Sequence, residues 1–179
     1  MNGTLLNFGL PILGIALVYF VSKRRKLSFK NDIGLVFPKW KDLLFWAVLF
    51  AVLIIIEEFA SQKFGNETTN SWVGKYSIGE MVFRTIGIVI LAPIAEELVL
   101  RGLLYARIKK TSLKYVGAII IPAIIFSLAH IQYAENLTFI IIFIDGLFLG
   151  LARHFSKSVI LTIILHSLAN IGAIVEKFI

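Results

Sequence analysis

Ala92-Pro93-Ile94-Ala95-Glu96-Glu97-Leu98-Val99-Leu100-Arg101-Gly102 decides how this chain is read. The stretch sits inside an apolar run covering 78–108, yet it holds two carboxylates and a guanidinium. An ionised side chain in the hydrocarbon of a bilayer costs on the order of 3 kcal/mol or more unless it pairs or lines a polar cavity. Two shorter strings repeat the pattern in later apolar runs: Phe126-Ser127-Leu128-Ala129-His130 and His166-Ser167-Leu168-Ala169-Asn170. Function is therefore sought at these three strings.

The surrounding composition fixes the class. Of 179 residues, 58% are hydrophobic and 16% charged, with a mean hydropathy of +0.87. A soluble domain carries roughly a quarter charged residues, so this is an integral membrane protein. Cysteine is absent, which excludes disulfides, thiolate metal sites, iron-sulfur ligation and a cysteine nucleophile. The net charge of +7 comes from basic residues in short connections between apolar runs, where membrane orientation explains them and no nucleic-acid partner is expected.

Six apolar runs, near 3–22, 42–60, 78–108, 114–133, 137–153 and 158–178, approach or exceed the ~20 residues a span needs. The expectation is an all-α, polytopic bundle of about six transmembrane helices forming a single membrane domain over 1–179. Residues 1–77 supply two N-terminal spans and a far-side loop; 78–179 supply the motif-bearing core. Lys23, Arg24, Arg25, Lys26, Lys30, Lys39 and Lys41 follow the first run, Arg101, Arg107, Lys109, Lys110 and Lys114 the third, and Arg153 and Lys157 the fifth. The positive-inside rule makes those connections cytoplasmic and places both termini and the 61–77 loop on the other side. The first run lacks a basic segment before it, so it reads as an uncleaved anchor that retains Met1.

The third run is over-long: 31 residues would make a helix of ~46 Å, which demands a tilt, a shift or a break at Pro93. Pro122 sits similarly before His130. Ala92, Ala95, Gly102, Ser127, Ala129, Ser167, Ala169 and Gly172 are small enough to let helices close on one another. Simple depth counting leaves a mismatch, with Glu96 near the cytoplasmic side and His130 ~24 Å from it.

Glu97 and Arg101 are four apart and share a helix face, while Glu96 points about a quarter turn away. An ion pair between the first two leaves Glu96 to act as a base toward water. Phe126 lies one turn from His130 and can wall its imidazole. His166 and Asn170 are likewise one turn apart and look into the same space. A carboxylate and a histidine can activate water, while a second histidine and a carboxamide can donate to the oxyanion of an attacked carbonyl. Glu96, His130 and His166 could instead hold a divalent metal such as zinc. Taken singly, each string also fits a structural role: an ion pair, an interfacial histidine, an interhelical hydrogen bond.

Other polar residues carry weaker signals. Glu57-Glu58 repeats the paired carboxylate without an arginine and is expected to face water or headgroups. Asp145 has no second intramembrane aspartate with which to form an aspartyl dyad. His154 is expected in a solvated turn, and Glu80 is expected to pair with Arg84.

EExxxR, FxxxH and HxxxN, in that order on successive membrane helices, resemble the CPBP family, the CAAX proteases and bacteriocin-processing enzymes also termed abortive-infection-like proteins. Ala-Pro-Ile-Ala before the first motif, Leu-Arg-Gly-Leu-Leu-Tyr at its end and the Gly146/Gly150 helix agree, and the likeness covers about 80–172. Leu100 stands where the family often has phenylalanine. The resemblance implies an intramembrane endopeptidase whose type II members trim the last three residues of prenylated proteins. It implies Glu96 and His130 as the water-activating pair, His166 and Asn170 as the oxyanion donors, and Glu97 and Arg101 as support, with the cofactor open between a metal and none. The substrate implied is a membrane-associated peptide or lipidated protein, and the location a prokaryotic plasma membrane. A non-catalytic scaffold or immunity-type binding protein using the same cleft, and an ion carrier, are the competing classes.

Overall fold

The computed structural model describes residues 8–65, 75–130 and 136–175. The chain is an all-α, polytopic bundle whose long helices are α1 (Leu10–Arg24), α2 (Trp40–Phe64), α3 (Ile78–Ile108), α4 (Lys114–Ala129), α5 (Asn136–Ser156) and α6 (Val159–Val175). There is no strand among the described residues. Helices α2, α3 and α5 are each long and apolar enough to cross a membrane, while α4 and α6 are shorter apolar helices. The expected runs 3–22, 114–133 and 158–178 extend into residues outside the described ones, as do Met1 and most of the 61–77 loop.

Sequence explains the helix starts. Pro11 occupies the first turn of α1, where its missing N–H is no loss. At α3, the Ser77 hydroxyl accepts from the Glu80 N–H and the Glu80 carboxylate accepts from the Ser77 N–H at 2.9 Å, a capping box. Glu80 is thereby committed to its own helix start instead of forming the expected ion pair, and the Arg84 guanidinium lies 4.0 Å from the centre of the Tyr76 ring.

Packing places two apolar clusters around the motif helix. Trp46 and Phe50 of α2 meet Leu149 and Ala152 of α5 and Leu161 and Leu165 of α6. Tyr105 of α3 meets Ala118 and Ile119 of α4. Helices α4 and α5 approach closely because Gly146 and Gly150 have no side chains: a Cβ at Gly146 would lie 3.0 Å from Ala123 Cα, and one at Gly150 2.9 Å from Ile119 Cγ2. The outer surface is apolar, with Leu13, Phe20, Ile55, Phe59 and Ile86 exposed, as a lipid-facing surface requires.

The three basic connections meet at one end of the bundle. Lys110, after α3, pairs with Asp32 of the α1–α2 connector at 2.8 Å. Ser158, between α5 and α6, donates to the Val36 carbonyl of the same connector at 2.5 Å.

Candidate active site

Helix α3 solves its length problem by changing its winding and not by breaking. Regular α-helix over Ala92–Glu97 is flanked by π-helical stretches at Gly87–Leu91 and Leu98–Leu104. Such wide turns shift hydrogen-bond partners by one residue and recur at functional sites. The helix continues to Ile108, which leaves Glu96 about 18 Å from that end at ~1.5 Å per residue. His130 terminates α4 at about 24 Å from Lys114 by the same measure, about one helical turn further in than Glu96, so Glu96 does not lie near the cytoplasmic side as expected.

Glu97 is fully buried, and its Oε1 accepts from Arg101 Nη1 at 2.8 Å and from His166 Nδ1 at 3.1 Å. The expected pair is present, and a histidine from α6 completes it. Arg101 Nη2 also donates to the Gly146 carbonyl of α5 at 3.0 Å, and its guanidinium lies 4.8 Å from the centre of the Phe126 ring. A buried ion pair needs such additional bonds to offset the loss of water.

Because a carboxylate can only accept, His166 Nδ1 must carry the proton of its bond to Glu97. The opposite ring nitrogen, Nε2, lies 4.0 Å from Glu96 Oε2. The Glu96 side chain is about one-third exposed, at 34%, while Oε2 is enclosed and has no hydrogen-bond partner among the described residues. His166 therefore sits between two carboxylates, one closed into an ion pair and one open.

Phe126 contacts both histidines, its ring centre 5.3 Å from that of His166, edge to face, and 4.6 Å from that of His130. His130 Nδ1 donates to the Phe126 carbonyl at 2.7 Å, since a carbonyl can only accept. This leaves His130 Nε2 as the nitrogen able to accept. Asn170 Nδ2 donates to the Ile88 carbonyl at 2.8 Å, tying α6 to the first π-helical stretch of α3.

Glu96, Glu97, Arg101, Phe126 and His166 are thus gathered directly, with His130 against the Phe126 ring and Asn170 one turn along α6. Among the described residues no three His, Cys, Asp or Glu side chains come together closely enough to hold a metal ion. The donors Glu96, His130 and His166 do not form a ligand set in this arrangement.

Sequence reading missed three residues. Glu57 does not face headgroups; it is buried on the same stripe of α2 as Trp46 and Phe50, with Oε1 unpartnered. It lies within charge–charge range of Asp145, which in turn is within range of His166 and Arg101. The Trp46, Phe50, Glu57 spacing on an apolar helix was the signal available. His154 lies in the last turn of α5, partly buried, and its Nδ1 bonds the Tyr105 hydroxyl at 2.8 Å. Arg153 is buried, with Nε donating to the Arg101 carbonyl at 3.0 Å.

A family model described as "Type II CAAX prenyl endopeptidase Rce1-like" matches residues 77–172, over half of the chain. The chain belongs to this Rce1-like family. The matched span begins at the Ser77 cap of α3 and ends after Asn170, so all three motif strings of this Rce1-like chain fall inside it. A similar protein is an uncharacterised 24.3 kDa protein of Escherichia coli, 34% identical over 92 residues. That match covers 50% of this chain and 42% of the E. coli protein. No solved structure matches.

Proposed function

We propose that this Rce1-like protein is an intramembrane endopeptidase that hydrolyses a peptide bond with activated water. The observation that carries the reading is Glu96, a carboxylate open on one side, enclosed at Oε2 and 4.0 Å from an imidazole whose other nitrogen is anchored to Glu97. Such a group can take a proton from water while the surrounding protein excludes bulk solvent.

In this account Glu96, assisted by His130, removes a proton from water as the oxygen attacks the scissile carbonyl carbon. The carbonyl π-electrons move to oxygen, and His166 and Asn170 donate to the resulting oxyanion. Breaking the C–N bond then returns the proton from Glu96 to the leaving amine. A carboxamide nitrogen has two hydrogens, so Asn170 can keep its bond to Ile88 while donating the second. His166 can donate from Nε2 only when both ring nitrogens carry protons, since Nδ1 already donates to Glu97. Glu97 and Arg101 hold this ring and the α3 backbone in place.

The substrate class is a membrane-associated peptide or lipidated protein, in line with the family description and the lipid-facing exterior. The entire chain acts as one membrane unit, with its basic end toward the cytoplasm and both termini opposite; the meeting of all three basic connections at one end supports this orientation. Reconstituted protein should cleave a quenched-fluorescence farnesylated peptide, and Glu96→Gln should abolish cleavage while leaving insertion intact. Turnover equal to wild type in that variant would contradict the assignment.

A further inference from the structure

Arg153 is 3% exposed, and no carboxylate pairs with it among the described residues. A buried charge with no counter-ion is expensive, so its surroundings should show what holds it. It donates from Nε to the Arg101 carbonyl at 3.0 Å, from Nη2 to the Ile33 carbonyl at 3.0 Å and to the Asp32 carbonyl at 3.4 Å, over the face of Tyr105.

The Arg101 carbonyl is available because of the winding of α3. In a regular α-helix it would accept the Tyr105 N–H; here that N–H goes to the Leu100 and Gly102 carbonyls. A carbonyl that no longer takes the Tyr105 N–H has room for a side-chain donor in a low-dielectric interior, and Arg153 supplies one. The exchange is reciprocal, since the Arg101 side chain donates to the Gly146 carbonyl on Arg153's own helix.

On its other side Arg153 needs the α1–α2 connector. Ile33 is wholly buried, and Gly34 has φ +82°, a conformation in which a side chain is strained. A Cβ at Gly34 would also fall 2.3 Å from Arg153 Nη2. The Gly34 carbonyl accepts from the Val159 N–H at 2.8 Å, locking the connector to the start of α6. Ile33 and Gly34 lie outside the span 77–172 that the family model matches, whereas Arg153 lies inside it.

We infer that Arg153 is a positioning residue for the acidic centre, holding the second π-helical stretch of α3 in register, and that Gly34 of the N-terminal connector completes its seat. Its effect on hydrolysis rests on the function proposed above; its effect on α3 does not. From the Arg101 backbone the order passes through the Arg101 side chain to Glu97 and on to His166.

The test uses the full chain in proteoliposomes, with Arg153→Lys and Gly34→Ala, followed by amide hydrogen exchange and by steady-state cleavage of the farnesylated peptide. Lysine keeps the charge but cannot reach the α3 and connector carbonyls as a fork. Both variants should speed exchange in peptides covering Leu98–Leu104 by roughly five- to tenfold, as expected for one lost hydrogen bond, with α2 peptides unchanged. Cleavage should lose about a hundredfold in kcat with KM nearly constant, the pattern of a displaced catalytic group. Exchange at wild-type rates in 98–104, or a rise spread equally over all helices, overturns the inference. If wild type cleaves nothing, the hydrolytic reading fails and the exchange result still decides the role of Arg153.

Discussion

His166 donates from Nδ1 to Glu97 Oε1 at 3.1 Å, and Glu97 has no exposed surface. The same oxygen takes Arg101 at 2.8 Å, so one buried carboxylate fixes a guanidinium on its own helix and an imidazole on another. Replacing Glu97 with alanine strands the Arg101 charge in the interior and should destabilise the fold by about 3–5 kcal/mol. Thermal unfolding in detergent would show it. Adding Arg101→Met to Glu97→Ala should recover part of the loss, because the stranded charge is then removed.

Gly146→Ala tests the α4–α5 approach. The new methyl would stand 3.0 Å from both Ala123 Cα and Cβ, so helices must part, at a cost of about 1–3 kcal/mol. Gly172→Ala serves as control: among the described residues nothing lies within 4 Å of the Cβ it would add, and helix propensity predicts equal or slightly greater stability. Equal unfolding temperatures for wild type and Gly146→Ala would contradict the close packing.

Asn170→Ala removes the donor to Ile88 and, in the proposed reaction, the second donor to the oxyanion. Stability should fall by about 1–3 kcal/mol from the unpaired carbonyl, while kcat falls on the order of a hundredfold or more. Cleavage kinetics beside unfolding curves separate the two effects. Wild-type kcat in this variant would remove Asn170 from the oxyanion site.

The connector carries a pH signature. The hydrogen bond from Lys110, then that from the Ser28 N–H, holds the Asp32 carboxyl below its ordinary range. A depressed folded value means the stabilisation is complete above the unfolded Asp pKa of about 3.9 and is lost as pH falls through the lower folded value. The pair is largely exposed, so the amount is roughly 0.2–1 kcal/mol after solvent screening. Asp32→Asn should reduce the acid-side slope in unfolding titrations by this contribution, leaving that of other depressed carboxyls such as Glu80 in place.

Much of this arrangement was legible in the sequence because hydrocarbon makes polar residues conspicuous. Glu96, Glu97 and Arg101 announced a shared helix, and four-residue spacing foretold the Glu97–Arg101 pair. What stayed hidden depended on long-range geometry. The π-helical turns of α3 have no local residue signature beyond the over-long run, for which a tilt, a shift or a break at Pro93 were the alternatives; the helix does not break there. Arg153 looked like one more orienting charge; only the path of the connector past Gly34 shows that its guanidinium is committed to backbone carbonyls. Glu57 misled for a related reason, as a carboxylate near a helix end normally snorkels outward, whereas this one lies on the stripe that α2 turns toward α5.

Single-turnover cleavage by Glu96→Gln, measured in proteoliposomes beside wild type, tests the central claim most directly. Glutamine keeps the size of the side chain and its place near His166 but cannot take a proton from water. Cleavage should drop by about 10²–10⁴-fold with peptide binding and unfolding temperature unchanged. A cleavage rate within threefold or so of wild type, far inside the loss expected when a general base is removed, would contradict the account.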